Sequence, residues 1–395
     1  MKPMRSRAFV QTVTFLSLAL TAGVLSDRAA AGPLSPPSGA VASTGKTLTE
    51  VSPETAINPP NSPTAVGAMV RISAPGAYYL TGNLLITASG IAGIEIAAPD
   101  VTLDLRGFRI IGSPTSGPGI SSIASITGVK ILNGTVTGTN GAGISMPSSS
   151  DAVVENVRVQ SSGNWGMLLG QGARVTGCQA IACTAGGISV GTSSIIKDSI
   201  ARGNTSGIGF SSSSAGVITD CVSTGNNIGY QLGVGAAADG CVASGNASHG
   251  FSSNTISTVT RCVSRSNAGH GFFMGEGTRV ISCQANANAL DGFRIDRASR
   301  IVDCLSFSNA GAGIRVIRTG NTIEGNTVND NNVGIKIDSS PNYYARNIVV
   351  GSITANFDVV AGNRGNVVIG ASSPAFTGTI GGAQVSTDPN ANITY

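Results

Sequence analysis

Apolar and polar positions alternate in short bursts along this chain, and the bursts return at a fixed interval. VTLDLRGFRII (Val101 to Ile111) has the period-two alternation of a strand. A Gly followed by one large apolar residue recurs at Ile94, Ile120, Ile144, Met167, Ile188, Ile208, Tyr230, Phe251, Phe272, Phe293, Ile314 and Ile335. After Met167 the steps are 21, 20, 22 and then 21 throughout. A second ladder keeps step with the first: Val154, Val175, Ile196, Ile218, Ala238, Val259, Val280, Ile301 and Ile323. A third consists of Asn204, Asn226, Asn246, Asn267, Asn288, Asn309 and Asn331. Three ladders with one period define a repeat architecture.

A repeat near 21 residues is short for a propeller blade or a helix pair, and Leu is too scarce for a leucine-rich repeat. Short Val/Ile/Thr runs broken by Gly and Asn fit a coil of three strands and turns. Coils that hydrogen-bond about 4.8 Å apart would give a dozen or so layers and a rod on the order of 60 Å long. Period two within a coil sends Phe293 and Ile295 inward and Arg294 outward. Equivalent inward residues then stack along the axis. The expected fold class is all-β, a parallel β-solenoid of about a dozen coils.

Repeats such as RIVDCLSFSNAGAGIRV and NTIEGNTVNDNNVGIKI, with the early phrase VTLDLRGF, resemble the right-handed parallel β-helix (pectin-lyase-like) superfamily over about residues 90–350. The chain is similar to exported bacterial parallel β-helix repeat proteins without assigned activity. That resemblance implies the fold. It brings over no catalytic residue, because activity sits in residues grafted on a fold.

Composition changes the picture at the N-terminus. Lys2, Arg5 and Arg7, an apolar stretch from Phe9 to Leu25 and the small run Ala29-Ala30-Ala31 read as a signal peptide over 1–31. The chain is therefore expected to be exported: secreted, periplasmic or at the cell surface, with no membrane span after cleavage. A Pro/Ser-rich linker (32–63), an N-terminal cap (64–92), the β-helix (93–350) and a C-terminal coil and cap (351–395) follow. The leader holds four of the cations and one of the anions, so the formal charge falls from +4 to +1 without it. A near-neutral surface argues against a nucleic-acid partner.

Cys178, Cys221, Cys241, Cys262, Cys283 and Cys304 share one repeat position, with Ser199 on the missing rung and Cys183 apart. Buried thiols are the favoured reading, with an intercoil disulfide as the alternative. Zinc-type spacing is absent. The Asn ladder and the aromatics Tyr230, Phe251, Phe272 and Phe293 read as structure.

Candidate chemistry lies in outward positions of the later coils. His249, His270 and Asp291 precede the repeat Gly, Arg294, Arg315 and Lys336 follow it by two, and Asp296 and Asp338 stand two coils apart. Together they could place acids, imidazoles and cations on one face. A lyase needs a carboxylate-neutralising cation or metal and a base, whereas a hydrolase needs paired carboxylates. Neither set is complete in the sequence, no cofactor motif is evident, and calcium enters only if the protein is a lyase. The residues favour a non-catalytic exported scaffold that contacts cell-surface or extracellular polysaccharide. The alternative is a polysaccharide-modifying enzyme: a uronate lyase, an epimerase or a glycoside hydrolase.

Overall fold

The computed structural model describes residues 53–123, 125–365, 368–370 and 388–394, all within one compact unit, Ser52–Tyr395. The leader expected over 1–31 lies outside the described residues. No helix among the described residues is long and apolar enough to cross a membrane.

Strands form two parallel sheets, one of fourteen strands with one per coil and one of twenty-eight. A typical coil runs Phe272–Glu276 in the smaller sheet, then Arg279–Ile281 and Gln284–Asn286 in the larger. Up to residue 350 strands pair with those of adjacent coils, as with Phe272 opposite Phe293 and Val280 opposite Ile301. The fold is therefore the expected solenoid, with fourteen layers where the sequence indicated about a dozen. Glu54–Ile57, inside the segment read as linker, pairs with Gly76–Leu80. Ala68–Ile72, inside the segment read as cap, already pairs with Ala92–Ile96. Beyond residue 350 the winding continues: Ala355–Val359 adds to Val333–Ile337, and Asn392–Thr394 lies against Ile348–Val350.

The interior is a set of axial columns. Phe210, Tyr230, Phe251, Phe272 and Phe293 stack with ring centroids 5.3, 4.5, 4.9 and 4.7 Å apart. One rung differs from the sequence reading. Ile188 lies opposite Phe210, not Ile208, so the steps there are 22 and 20. Two Gly-apolar pairs occur in succession, Gly207-Ile208 and Gly209-Phe210, and the larger ring takes the buried place while Ile208 stays half-buried.

Polar columns hold the corners. Asn267 donates its backbone N–H and its side-chain amide to Asn288 Oδ1 at 3.2 and 2.9 Å, and neighbouring rungs repeat the contact. These bonds satisfy backbone groups that a turn would otherwise bury unpaired. The sulfur column serves the same end: the N–H groups of Cys241, Cys262 and Cys283 each donate to the Sγ of the next coil at 3.4 Å. Ser199 accepts from Cys178 in the same way, and Asn326 continues the column from Cys304. All seven thiols are free and buried. Burial pushes Cys178 up to about 11, so it stays a neutral thiol.

Candidate functional site

The outer face of the fourteen-stranded sheet carries one column per outward position. Its central column runs Ser121, Ser145, Leu168, Ser189, Ser211, Gln231, Ser252, Phe273, Arg294, Arg315, Lys336 and Asp358. No Asp, Glu, Lys or Arg occurs on the strands of this sheet from Ile120 to Gly275. Charge resumes with Glu276, which is paired to Arg297 at 2.8 Å, and continues through Asp291 and Arg294.

His249, His270 and Asp291 form the neighbouring column at the corner where the chain enters this sheet. His249 Nδ1 accepts the backbone N–H of His270 at 3.1 Å, and His270 Nδ1 accepts that of Asp291 at 3.1 Å. Asp291 Oδ1 accepts the N–H of Ala312 at 2.8 Å. The column thus continues by side chain what the sheet does by backbone. Glycine in the next coil makes room for it, since a Cβ at Gly311 would come within 2.5 Å of Asp291 Oδ1. This corrects one expectation: Asp291 is not an outward group but is 5% exposed, because its carboxylate turns under the next coil.

The other carboxylate oxygen, Asp291 Oδ2, is buried with no hydrogen-bond partner among the described residues. It lies 3.3 Å from His270 Nδ1. While that nitrogen accepts the Asp291 N–H, two acceptors face each other. A hydrogen on Nδ1 would turn the same contact into a charge-assisted bond. Burial raises the Asp291 carboxyl, but a hydrogen on His270 Nδ1, the Ala312 N–H and Arg315 outweigh it and hold the group below the ordinary range. His249 is lowered to about 4 by burial, with His270 and Arg294 adding to the effect, so it is neutral.

Phe273, which the sequence reading does not single out, organises the outside of this cluster. Its ring stacks on His249 at 4.6 Å and lies 5.5 Å from His270, and the Arg294 guanidinium sits 4.5 Å from its centroid. The cation–π contact fixes Arg294 without neutralising it. Among the described residues Arg294 forms no ion pair, which sets it apart from the cations below it. Arg315 Nε donates to Asp338 at 2.8 Å, and Lys336 contacts Asp338 at 3.5 Å and Asp358 more closely. Asp338 holds the Arg315 guanidinium above its usual range, and Asp358 does the same for the Lys336 ammonium. Asp296 pairs with Arg318 at 3.3 Å.

Of the eight sequence candidates, His249, His270 and Arg294 therefore gather around Phe273, with Asp291 held against His270. Arg315, Lys336 and Asp338 form one ion-pair chain, and Asp296 belongs to a separate pair. Among the described residues no group of three or more His, Cys, Asp or Glu side chains could hold a metal ion.

Solved structures with a related winding include the periplasmic alginate epimerase AlgG (12% identity over 78% of this chain and 82% of that one, TM-score 0.45). The Azotobacter vinelandii mannuronan C-5 epimerase AlgE4 A-module shares 15% identity over 74% and 91%, with a TM-score of 0.46. A mannuronic acid specific polysaccharide family 6 lyase from human gut microbiota shares 13% over 78% and 82%, with a TM-score of 0.48. At these identities the likeness concerns the fold alone. No curated protein matches this chain in sequence. The model of the right-handed β-helix region matches residues 118–258, 171–303 and 239–352, which together span more than half of the chain. With the fourteen parallel layers, that match makes the chain a member of the right-handed β-helix family.

Proposed function

We propose that this protein modifies an acidic polysaccharide, acting after export as an epimerase or lyase on a uronate unit, with His270 moving the proton. Epimerisation and lyase cleavage are also named for the enzymes above, but this chain's own side chains carry the reading. The central observation, among the described residues, is a buried Asp291 oxygen without a hydrogen-bond partner against His270, beside an Arg294 without an ion pair.

The carbon bearing a uronate carboxylate gives up its proton only when that carboxylate is neutralised, because charge builds on it as the bond breaks. Among the described residues of this face, Arg294 is the cation free to do this. His270 holds the Asp291 N–H on Nδ1, so its hydrogen sits on Nε2. Exchange of that hydrogen for one on Nδ1, which then gives up the Asp291 N–H and donates to Asp291 Oδ2, leaves Nε2 free to take the sugar proton. Return of a proton from solvent to the opposite face epimerises the sugar, and His270 then gives its proton to solvent. Departure of the neighbouring glycosidic oxygen, which takes a proton from solvent, cleaves the chain and leaves a double bond in the uronate ring.

A non-catalytic scaffold, favoured by the sequence reading, keeps one supporting observation. Arg315 and Lys336, the obvious alternative bases, are locked in ion pairs that keep them protonated. Incubation with a panel of uronate polymers, with and without calcium, separates the two readings. An unsaturated product by ultraviolet absorbance, or an epimerised unit by NMR, is expected from the wild type and absent with His270→Gln. Retention of polymer with no product across the panel would leave only the scaffold.

A further inference from the structure

We infer that the polysaccharide is a sparsely charged heteropolymer, in which isolated uronates alternate with neutral sugars, rather than a homopolyuronate. This rests on the reading of Arg294 above and goes further by assigning the uncharged part of the same face to neutral sugars.

Charge on the outer face is confined to its two ends. At the N-terminal end Arg71 and Glu95 pair with each other. The strands of the sheet then carry no Asp, Glu, Lys or Arg between Ile120 and Gly275, and one central cation beyond them, Arg294, has no carboxylate partner among the described residues. A polymer laid along the whole face with a carboxylate on every sugar would strip water from charges that find no counter-charge. Electrostatic complementarity of this kind sets specificity more than raw affinity. The face has room for one strong carboxylate contact.

The uncharged stretch is built to receive sugars. Trp165, the chain's one tryptophan, is half-buried, and its ring lies over Gly186 so closely that a Cβ there would meet it at 2.3 Å. An aromatic face of this kind packs against the apolar side of a pyranose. Across the strand, a groove of about 610 Å³ is lined by Leu168, Gln171, Ser189, Thr192 and Ser213 among others, offering neutral donors and acceptors. Leu168 lies six coils before Arg294, so the two ends of this stretch are about 29 Å apart at the coil spacing of roughly 4.8 Å. An extended chain of several sugars spans that distance. One uronate at Arg294 and neutral units at Trp165 satisfy both.

The test is calorimetric titration of the full chain at low salt with oligosaccharides from gellan, whose single glucuronate per repeat sits among neutral sugars, and from polygalacturonate. Trp165 fluorescence is read alongside. Gellan fragments should bind at least tenfold more tightly and shift the emission. Trp165→Ala should lose most of that preference and Trp165→Phe should keep it, with melting temperatures as the folding control. Equal or tighter binding of polygalacturonate, or gellan binding that leaves Trp165 emission unchanged, overturns the inference while the Arg294 reading stands. Gellan binding indifferent to Arg294→Ala, or no binding of either polymer, overturns both.

Discussion

Replacing His249 with Asn tests the corner column directly. In the native coil His249 Nδ1 must stay unprotonated to accept the His270 N–H, and its pKa falls from an ordinary 6.5 to about 4. The unfolded chain therefore binds a proton that the folded chain refuses between those two values. The contribution is neutral above pH 6.5 and becomes an increasing loss of stability as pH falls towards 4. At 1.36 kcal/mol per pKa unit the full effect would be about 3 kcal/mol, and solvent screening of a half-buried ring reduces it to about 1–2 kcal/mol. Asn offers an amide oxygen at nearly the position of Nδ1, as the Asn ladder does elsewhere, and does not titrate. Urea unfolding at about pH 7.5 and about pH 4.5 is the assay. The wild type should lose about 1–2 kcal/mol more than His249→Asn on acidification, while the two stay within about 1 kcal/mol in the neutral buffer. Equal acid sensitivity of the two proteins would refute the bonding assigned to His249.

Three further outcomes follow from the same structure. Phe272→Ala, which removes a fully buried ring from the middle of the aromatic stack, should cost about 3–5 kcal/mol in chemical denaturation. A loss below about 1 kcal/mol would mean that the stacked rings do not support one another. Arg294→Ala should weaken binding of an acidic polymer at least tenfold with little change in melting temperature. Arg315→Ala, whose side chain is already paired with Asp338, should weaken it far less. Thiol titration of the native protein should detect no reactive cysteine, and all seven should react in denaturant, whereas any shortfall in denaturant without reductant would reveal a disulfide.

The winding is legible in the sequence because inward positions see the same surroundings in every coil, so selection for shape writes the same residue type at one period. Phe251, Phe272 and Phe293 align by spacing alone, as do the Asn ladder and the Ser199 rung. Ile208 is misplaced by the same spacing because two Gly-apolar pairs in a row satisfy the pattern equally and only packing separates them. The site is less legible, since its chemistry depends on neighbours one coil away. Arg315 meets Asp338 and Lys336 meets Asp358 across the coil boundary, and no residue spacing says which cation remains unpaired. Asp291 points outward by its place in the repeat, but its side chain bends under the next coil to accept an amide. Phe273 carries a readable signal: Phe272 and Phe273 are adjacent, so alternation must turn one outward, into the column of Arg294.

The central claim is that His270 moves a proton at a uronate held by Arg294. The most direct measurement is release of tritium into water from a polymer labelled at the carbon bearing the carboxylate, since epimerisation and lyase cleavage both break that bond. Release by the wild type, abolished in His270→Gln and strongly reduced in Arg294→Ala, is the predicted result. Firm binding of the labelled polymer with no release would contradict the account and leave a protein that holds its polysaccharide without changing it.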